Sequence, residues 1–93
     1  MRVPESGALA VGRARGLWHG GHGLEAARTL LADARDGVRE EDRHLVDQAI
    51  GSYAWIAGDA ATAVAAYERV LERQADDPNG LWGLASAQAL AGN

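Results

Sequence analysis

Residues Leu17–Leu31 read LWHGGHGLEAARTLL, and residues Ala54–Glu68 read AWIAGDAATAVAAYE. The two stretches lie 37 residues apart, and their alignment decides whether the histidines of the first form a site or a turn. Trp18 falls on Trp55, Gly21 on Gly58, Ala26 on Ala63 and Leu30 on Tyr67. His19-Gly20-Gly21-His22 therefore occupies the slot that Ile56-Ala57-Gly58-Asp59 fills in the later copy. Gly21 supplies a sharp backbone turn at no steric cost, and His22 stands where Asp59 can cap a helix. The stretch reads as a turn between two helices.

Outward from this turn the apolar spacing is helical. β-branched residues are sparse and no run alternates cleanly, so strands find no support. Five helices are expected. The first covers about Glu5 to His19, with Pro4 near its start, where a missing N–H costs nothing. The second, about Leu24 to Arg35, places Leu24, Ala27, Leu30, Leu31 and Ala34 on one face, with Gly37 beyond it as a stop. The third, about Glu40 to Ala57, presents Leu45, Ala49, Ile50, Tyr53 and Ile56, and ends at Gly58-Asp59. The fourth, about Ala60 to Gln74, presents Ala63, Val64, Tyr67, Val70 and Leu71. ADDPNG, Ala75–Gly80, then breaks the chain before a fifth helix from about Leu81 to Ala91. Connections this short make sequential helices antiparallel neighbours.

A chain of 93 residues suits one domain with a thin core. All basic residues apart from histidine are arginine, and phenylalanine is absent, a bias that reflects GC-rich coding more than mechanism. The net charge is −4, and each arginine has acidic neighbours, as in ARDGVREEDRH, Ala34–His44. That pattern argues against a nucleic-acid surface and for a solvated inter-repeat face. Without cysteine there is no disulfide, thiolate nucleophile or zinc–sulfur site. The first 16 residues lack the apolar core of a signal peptide. No segment approaches the roughly 18 apolar residues of a membrane span. The expectation is a cytoplasmic protein that needs no cofactor.

A second alignment, at 34 residues, sets Ile50-Gly51 on Leu84-Ala85, Gly58 on Gly92 and Asp59 on Asn93. Self-similarity near this period marks stacked helical hairpins. The residues that carry it resemble the tetratricopeptide repeat family. The family sets an apolar–small pair in its first helix, here Ile50-Gly51, and a Gly-Asp-like turn, here Gly58-Asp59. Its second helix carries a small residue and an aromatic, here Ala63 and Tyr67, and Pro78 stands beyond them. Small residues are needed where the two helix axes cross closely. The resemblance covers nearly the whole chain, as hairpins 5–36 and 40–75 and a lone first helix, 79–91. It is weaker at the ends. Arg13-Ala14 fills the apolar–small slot, and Leu17, Ala54 and Gln88 replace the family's first-helix tyrosine. Three extra residues fall within Asp36–Asp42.

The resemblance implies an all-α, right-handed superhelix of antiparallel hairpins whose first helices line a concave groove. The groove residues would be Ala8, Val11, Arg15, Trp18 and His19, then Leu45, Gln48, Ser52, Trp55 and Ile56, then Asn79, Trp82, Ser86, Ala89 and Leu90, with Arg15, Trp18, Gln48, Ser52, Trp55, Asn79, Trp82 and Ser86 the binding candidates. A surface with three tryptophans and Arg15 as its fixed charge suits an apolar or aromatic segment of a protein or peptide. Some relatives clamp a C-terminal carboxylate, but only Arg15 and Asn79 offer themselves here, so that activity does not carry over. The bland reading of Trp18 and Trp55 is that they fill gaps between adjacent helices.

The fifth helix, LWGLASAQALA, has no charged residue, whereas a terminal repeat normally turns a polar face outward. Leu81, Trp82, Leu84 and Leu90 would be covered if a second copy docked there as a homodimer. Another reading makes the chain a sensing or oligomerisation segment of a larger bacterial regulator. A weaker alternative is a metal site on His19, His22 and His44, for which zinc needs at least three protein ligands. Glu40-Glu41 and Asp76-Asp77 flank turns with no cleft implied, and no nucleophile elbow accompanies His19-Gly20-Gly21. A non-enzymatic scaffold is the expectation.

Overall fold

The computed structural model describes residues 5–92, and five α-helices run through them. They are α1 (Gly7–Leu17), α2 (Leu24–Ala34), α3 (Arg43–Ile56), α4 (Ala60–Arg73) and α5 (Pro78–Leu90). Helices adjacent in sequence pack on one another, α1 on α2 and α4 on α5. The chain divides into two compact units, Met1–Val46 and Asp47–Asn93, with the division inside α3.

In the first unit, Ser6 caps α1 by accepting the Leu9 N–H at 3.4 Å. The Pro4 expected near this start lies outside the described residues, as does Asn93. The buried side of α1 is Gly7, Ala10 and Ala14, a stripe of small residues, and the buried residues of α2 are Ala27 and Leu31. Between the helices Trp18–His22 forms the turn, kinked at Gly21 with φ 90° and followed by Gly23 at φ 92°. His22 does not cap α2. Gly23 holds that position with no side-chain hydrogen bond, because this turn contains one residue more than its counterpart at Gly58-Asp59. Even so, Gly21, Gly58 and Gly92, which the two self-alignments superpose, share φ values of 90°, 80° and 84°.

The polar connector after α2 is more than a solvated face. Two short 3-10 turns, Arg35–Gly37 and Glu40–Asp42, bracket Val38, which is 3% exposed. Glu5 forms a single parallel bridge with Val38: its N–H donates to the Gly37 carbonyl, and its own carbonyl accepts from the Arg39 N–H, both at 3.1 Å. The Asp42 carboxylate accepts the Gly7 N–H at 3.0 Å. Most charged side chains of the connector still face solvent, but its backbone is tied to the start of α1.

The second unit is built on capped helices. Asp59 accepts the Thr62 N–H at 3.2 Å to start α4. Asp77 accepts the N–H groups of Asn79 and Gly80 at 2.9 and 3.1 Å, and Pro78 takes the first helical position. α5 therefore begins three residues before the expected Leu81. Asp47 meets Arg69 at 3.0 Å, Gly51 lies against Tyr67, and Ala54 shares a core with Ala63. One residue number rises as the other falls, so α3 and α4 run antiparallel. The same holds for α4 and α5, where Gly80 meets Val70 and Leu71, Gly83 meets Tyr67, and Ala87 joins the core of Ala63. Val64 and Leu84 pack against that core.

Candidate functional site

Tyr67 organises the second unit. On α4 it follows Ala63 at helical spacing, so its ring leaves the buried side of the helix with three alanine- or valine-sized neighbours, Ala63, Ala66 and Val70. Two glycines make room for it. A Cβ on Gly51 of α3 would sit 2.7 Å from the ring, and a Cβ on Gly83 of α5 would overlap it. The ring is thus held between two helix backbones. Its phenolic oxygen lies 2.9 Å from the Ser52 Oγ, and the two hydroxyls share one hydrogen bond.

Ser52 and Tyr67 both line an open pocket of about 250 Å³. Trp55 and Ile56 from α3 and Trp82, Gly83 and Ser86 from α5 line it with them. Trp55 is 48% exposed and Trp82 is 79% exposed, so neither indole is spent on the core. No lining residue carries a charge. Within this unit the α3 segment has one charged residue, Asp47, which is buried and bonded to Arg69 at 3.0 Å. α5 has none. The pocket is an uncharged, largely apolar recess, lined in part by the exposed Ser52 and the buried Tyr67.

The structure gathers Ser52, Trp55, Ile56, Trp82 and Ser86 of the expected groove around this one pocket. Gln48 is half-buried on α3, and Asn79 is exposed in the first turn of α5; neither lines it. Arg15 is exposed on α1, and the half-buried Trp18 stacks on His19 with ring centres 5.1 Å apart; both belong to the first unit. Of the residues expected to mediate self-association, Leu81, Trp82 and Leu90 are exposed, whereas Leu84 packs against the core. Sequence reading missed Tyr67 and Gly83 as lining residues. The signal in reach was the pairing of a polar-tipped aromatic with a serine one position beyond the small residue opposite it.

His19 and His22 are exposed on the turn, and His44 is half-buried at the start of α3, with an Nδ1 that is buried and lacks a hydrogen-bond partner. Among the described residues no three His, Cys, Asp or Glu side chains converge into a group able to hold a metal ion. Among the same residues no helix is long and apolar enough to cross a membrane. Comparison of the chain with protein families, with curated proteins and with solved structures gives no match.

Proposed function

We propose that this chain is a non-enzymatic binding module and that its second unit receives an apolar or aromatic segment of a partner protein or peptide. One observation carries the reading: Trp55 and Trp82, on different helices, are both exposed and face the same uncharged pocket. Exposed tryptophan is costly to leave in water and dominates binding hot spots, since each ring desolvates a large area. The tetratricopeptide resemblance supports the same surface. It assigns α3 and α5 to the groove-lining class of helix and α4 to the supporting class, and Tyr67 of α4 lies beneath the pocket. A displayed library of random peptides, selected on the intact chain, tests this. Enriched peptides should carry an aromatic or apolar anchor. Their affinity should fall at least about 30-fold with Trp82→Ala, the loss of a hot spot, and stay unchanged with Trp18→Ala. Selection of no peptide, or of peptides indifferent to Trp55 and Trp82, would sink the reading.

A second reading is self-association through α5. Leu81, Trp82 and Leu90 are 51%, 79% and 42% exposed on a helix without charge. A helix that is apolar all round and carries no charge is the kind that proteins bury against a neighbour.

A further inference from the structure

The pocket is uncharged, but the unit around it is not. Resting on the proposal that this pocket is a binding site, we infer that its partner is a basic segment, an apolar or aromatic anchor flanked by lysine or arginine.

The charges of the second unit set this preference. Asp47–Asn93 holds six carboxylates against two arginines and is the source of the chain's net charge of −4. Met1–Val46 adds nothing to it, since its seven arginines balance seven carboxylates. Within the second unit Asp47 and Arg69 neutralise each other across 3.0 Å. Arg73 is then the counter-charge to Asp59, Glu68, Glu72, Asp76 and Asp77 together. Asp59 and Asp77 cap α4 and α5, which fixes their positions without removing their charge. A helix dipole carries equal and opposite partial charges at its two ends, so it leaves the net charge of the unit unchanged.

Placement adds to the total. Asp59 follows Ile56 just past the end of α3, and Asp76 and Asp77 come immediately before α5. α3 and α5 both run antiparallel to α4, so the end of α3 and the start of α5 lie at opposite ends of the unit. A segment anchored between these two helices therefore has carboxylates beyond both of its flanks. The lining takes the anchor but cannot choose the flanks, because none of its residues is charged. The surrounding carboxylates make that choice, as complementary potentials do at protein interfaces.

The range of the field sets the size of the effect. A compact unit of this length has a radius of gyration of roughly 10 Å. At about 0.01 M salt the Debye length is roughly 30 Å, so a bound segment feels the charge of the whole unit. One positive charge about 15 Å from a net charge of −4 in water then gains about threefold in affinity. An acidic flank loses as much.

The experiment uses the intact chain labelled with nitrogen-15 at tryptophan, which places indole N–H reporters at Trp55 and Trp82 and a reference at Trp18. Three acetylated, amidated pentapeptides are titrated in turn. Each has a central tryptophan between two glycines, and both ends are lysine, serine or glutamate. All should shift Trp55 and Trp82 and leave Trp18 in place. At about 0.01 M salt the lysine peptide should bind about tenfold more tightly than the serine peptide, and the glutamate peptide about tenfold more weakly. At about 1 M salt, where the Debye length is roughly 3 Å, the three should agree within about twofold. Glu68→Gln with Glu72→Gln, both exposed on α4 and outside the lining, halves the net charge and should cut the low-salt preference to about threefold. If the serine peptide binds as tightly as the lysine peptide at low salt, or the lysine preference persists undiminished in 1 M salt or in the double variant, the basic partner is wrong and the pocket stands as the binding site. If no peptide moves Trp55 or Trp82, both the site and its partner fall.

Discussion

At position 83 a single methyl group would set how closely α5 can approach Tyr67. In an isolated helix alanine is better than glycine by about 1 kcal/mol. Here the added Cβ would overlap the Tyr67 ring, which Gly51 confines on its other side, so the ring has no room to retreat. Overpacking of this kind costs about 1–3 kcal/mol and outweighs the propensity. Gly83→Ala should therefore lower stability in urea unfolding, despite its better helix propensity. Gly16→Ala is the control: the residue is exposed on α1 with nothing within 4 Å of a Cβ, and the change should raise stability by about 0.5–1 kcal/mol. Adding Tyr67→Leu to Gly83→Ala should recover part of the loss, since residues in contact couple. A Gly83→Ala chain as stable as the parent would mean α5 sits farther out than described. The need for small residues at helix crossings was legible at Gly51. It was not legible at Gly83, because which residue of α4 stands opposite is fixed by the register of α5, and no local pattern encodes it.

A helix start is where local chemistry speaks most clearly, and α5 shows how it can be misheard. Ala75–Gly80 reads as a break, yet its proline is at the first helical position, where it loses no hydrogen bond, and Asp77 before it holds two orphan N–H groups. Pro78 thus stands to α5 as Pro4 was expected to stand to α1, and residues 78–80 belong to the helix rather than to the break. Asp77→Ala should cost about 1 kcal/mol, while Asp77→Asn, which keeps an acceptor, should cost little. Faster hydrogen exchange at the Asn79 and Gly80 amides in the alanine variant alone would locate the loss at this cap; equal exchange in both variants would refute it. The five helices themselves were legible, since apolar periodicity and glycine stops are local signals. The connector was not. Its parallel bridge joins Glu5 to Val38, and Asp42 bonds the backbone of Gly7, so its order comes from partners more than thirty residues away. The pocket was half legible for the same reason. Helical spacing brought Ser52 and Trp55 to one face of α3, and Trp82 and Ser86 to one side of α5. The tyrosine beneath them read only as core.

Over the whole chain the charge is unevenly shared. In Met1–Val46 seven arginines balance seven carboxylates, whereas Asp47–Asn93 holds two arginines against six carboxylates. The net charge of −4 therefore belongs to the unit that also carries the exposed Leu81, Trp82 and Leu90. Two copies meeting through α5 would bury apolar surface while bringing two negative units together. Burial favours the contact and repulsion opposes it, and salt weakens only the repulsion. From about 0.01 M to about 1 M salt the Debye length shrinks from roughly 30 Å to roughly 3 Å. Self-association through α5 should thus strengthen as salt rises, as measured by sedimentation equilibrium across a concentration series. Leu81→Glu, which plants a carboxylate among these exposed apolar residues, should return the chain to monomer at every salt concentration. Because Trp82 lines the pocket and is also one of the exposed apolar residues of α5, a peptide bound at the pocket should shift the population toward monomer by mass action. Association that weakens with salt would place the contact on the arginine–carboxylate faces instead. A chain that stays monomeric at high salt would remove self-association and leave α5 to the binding role alone.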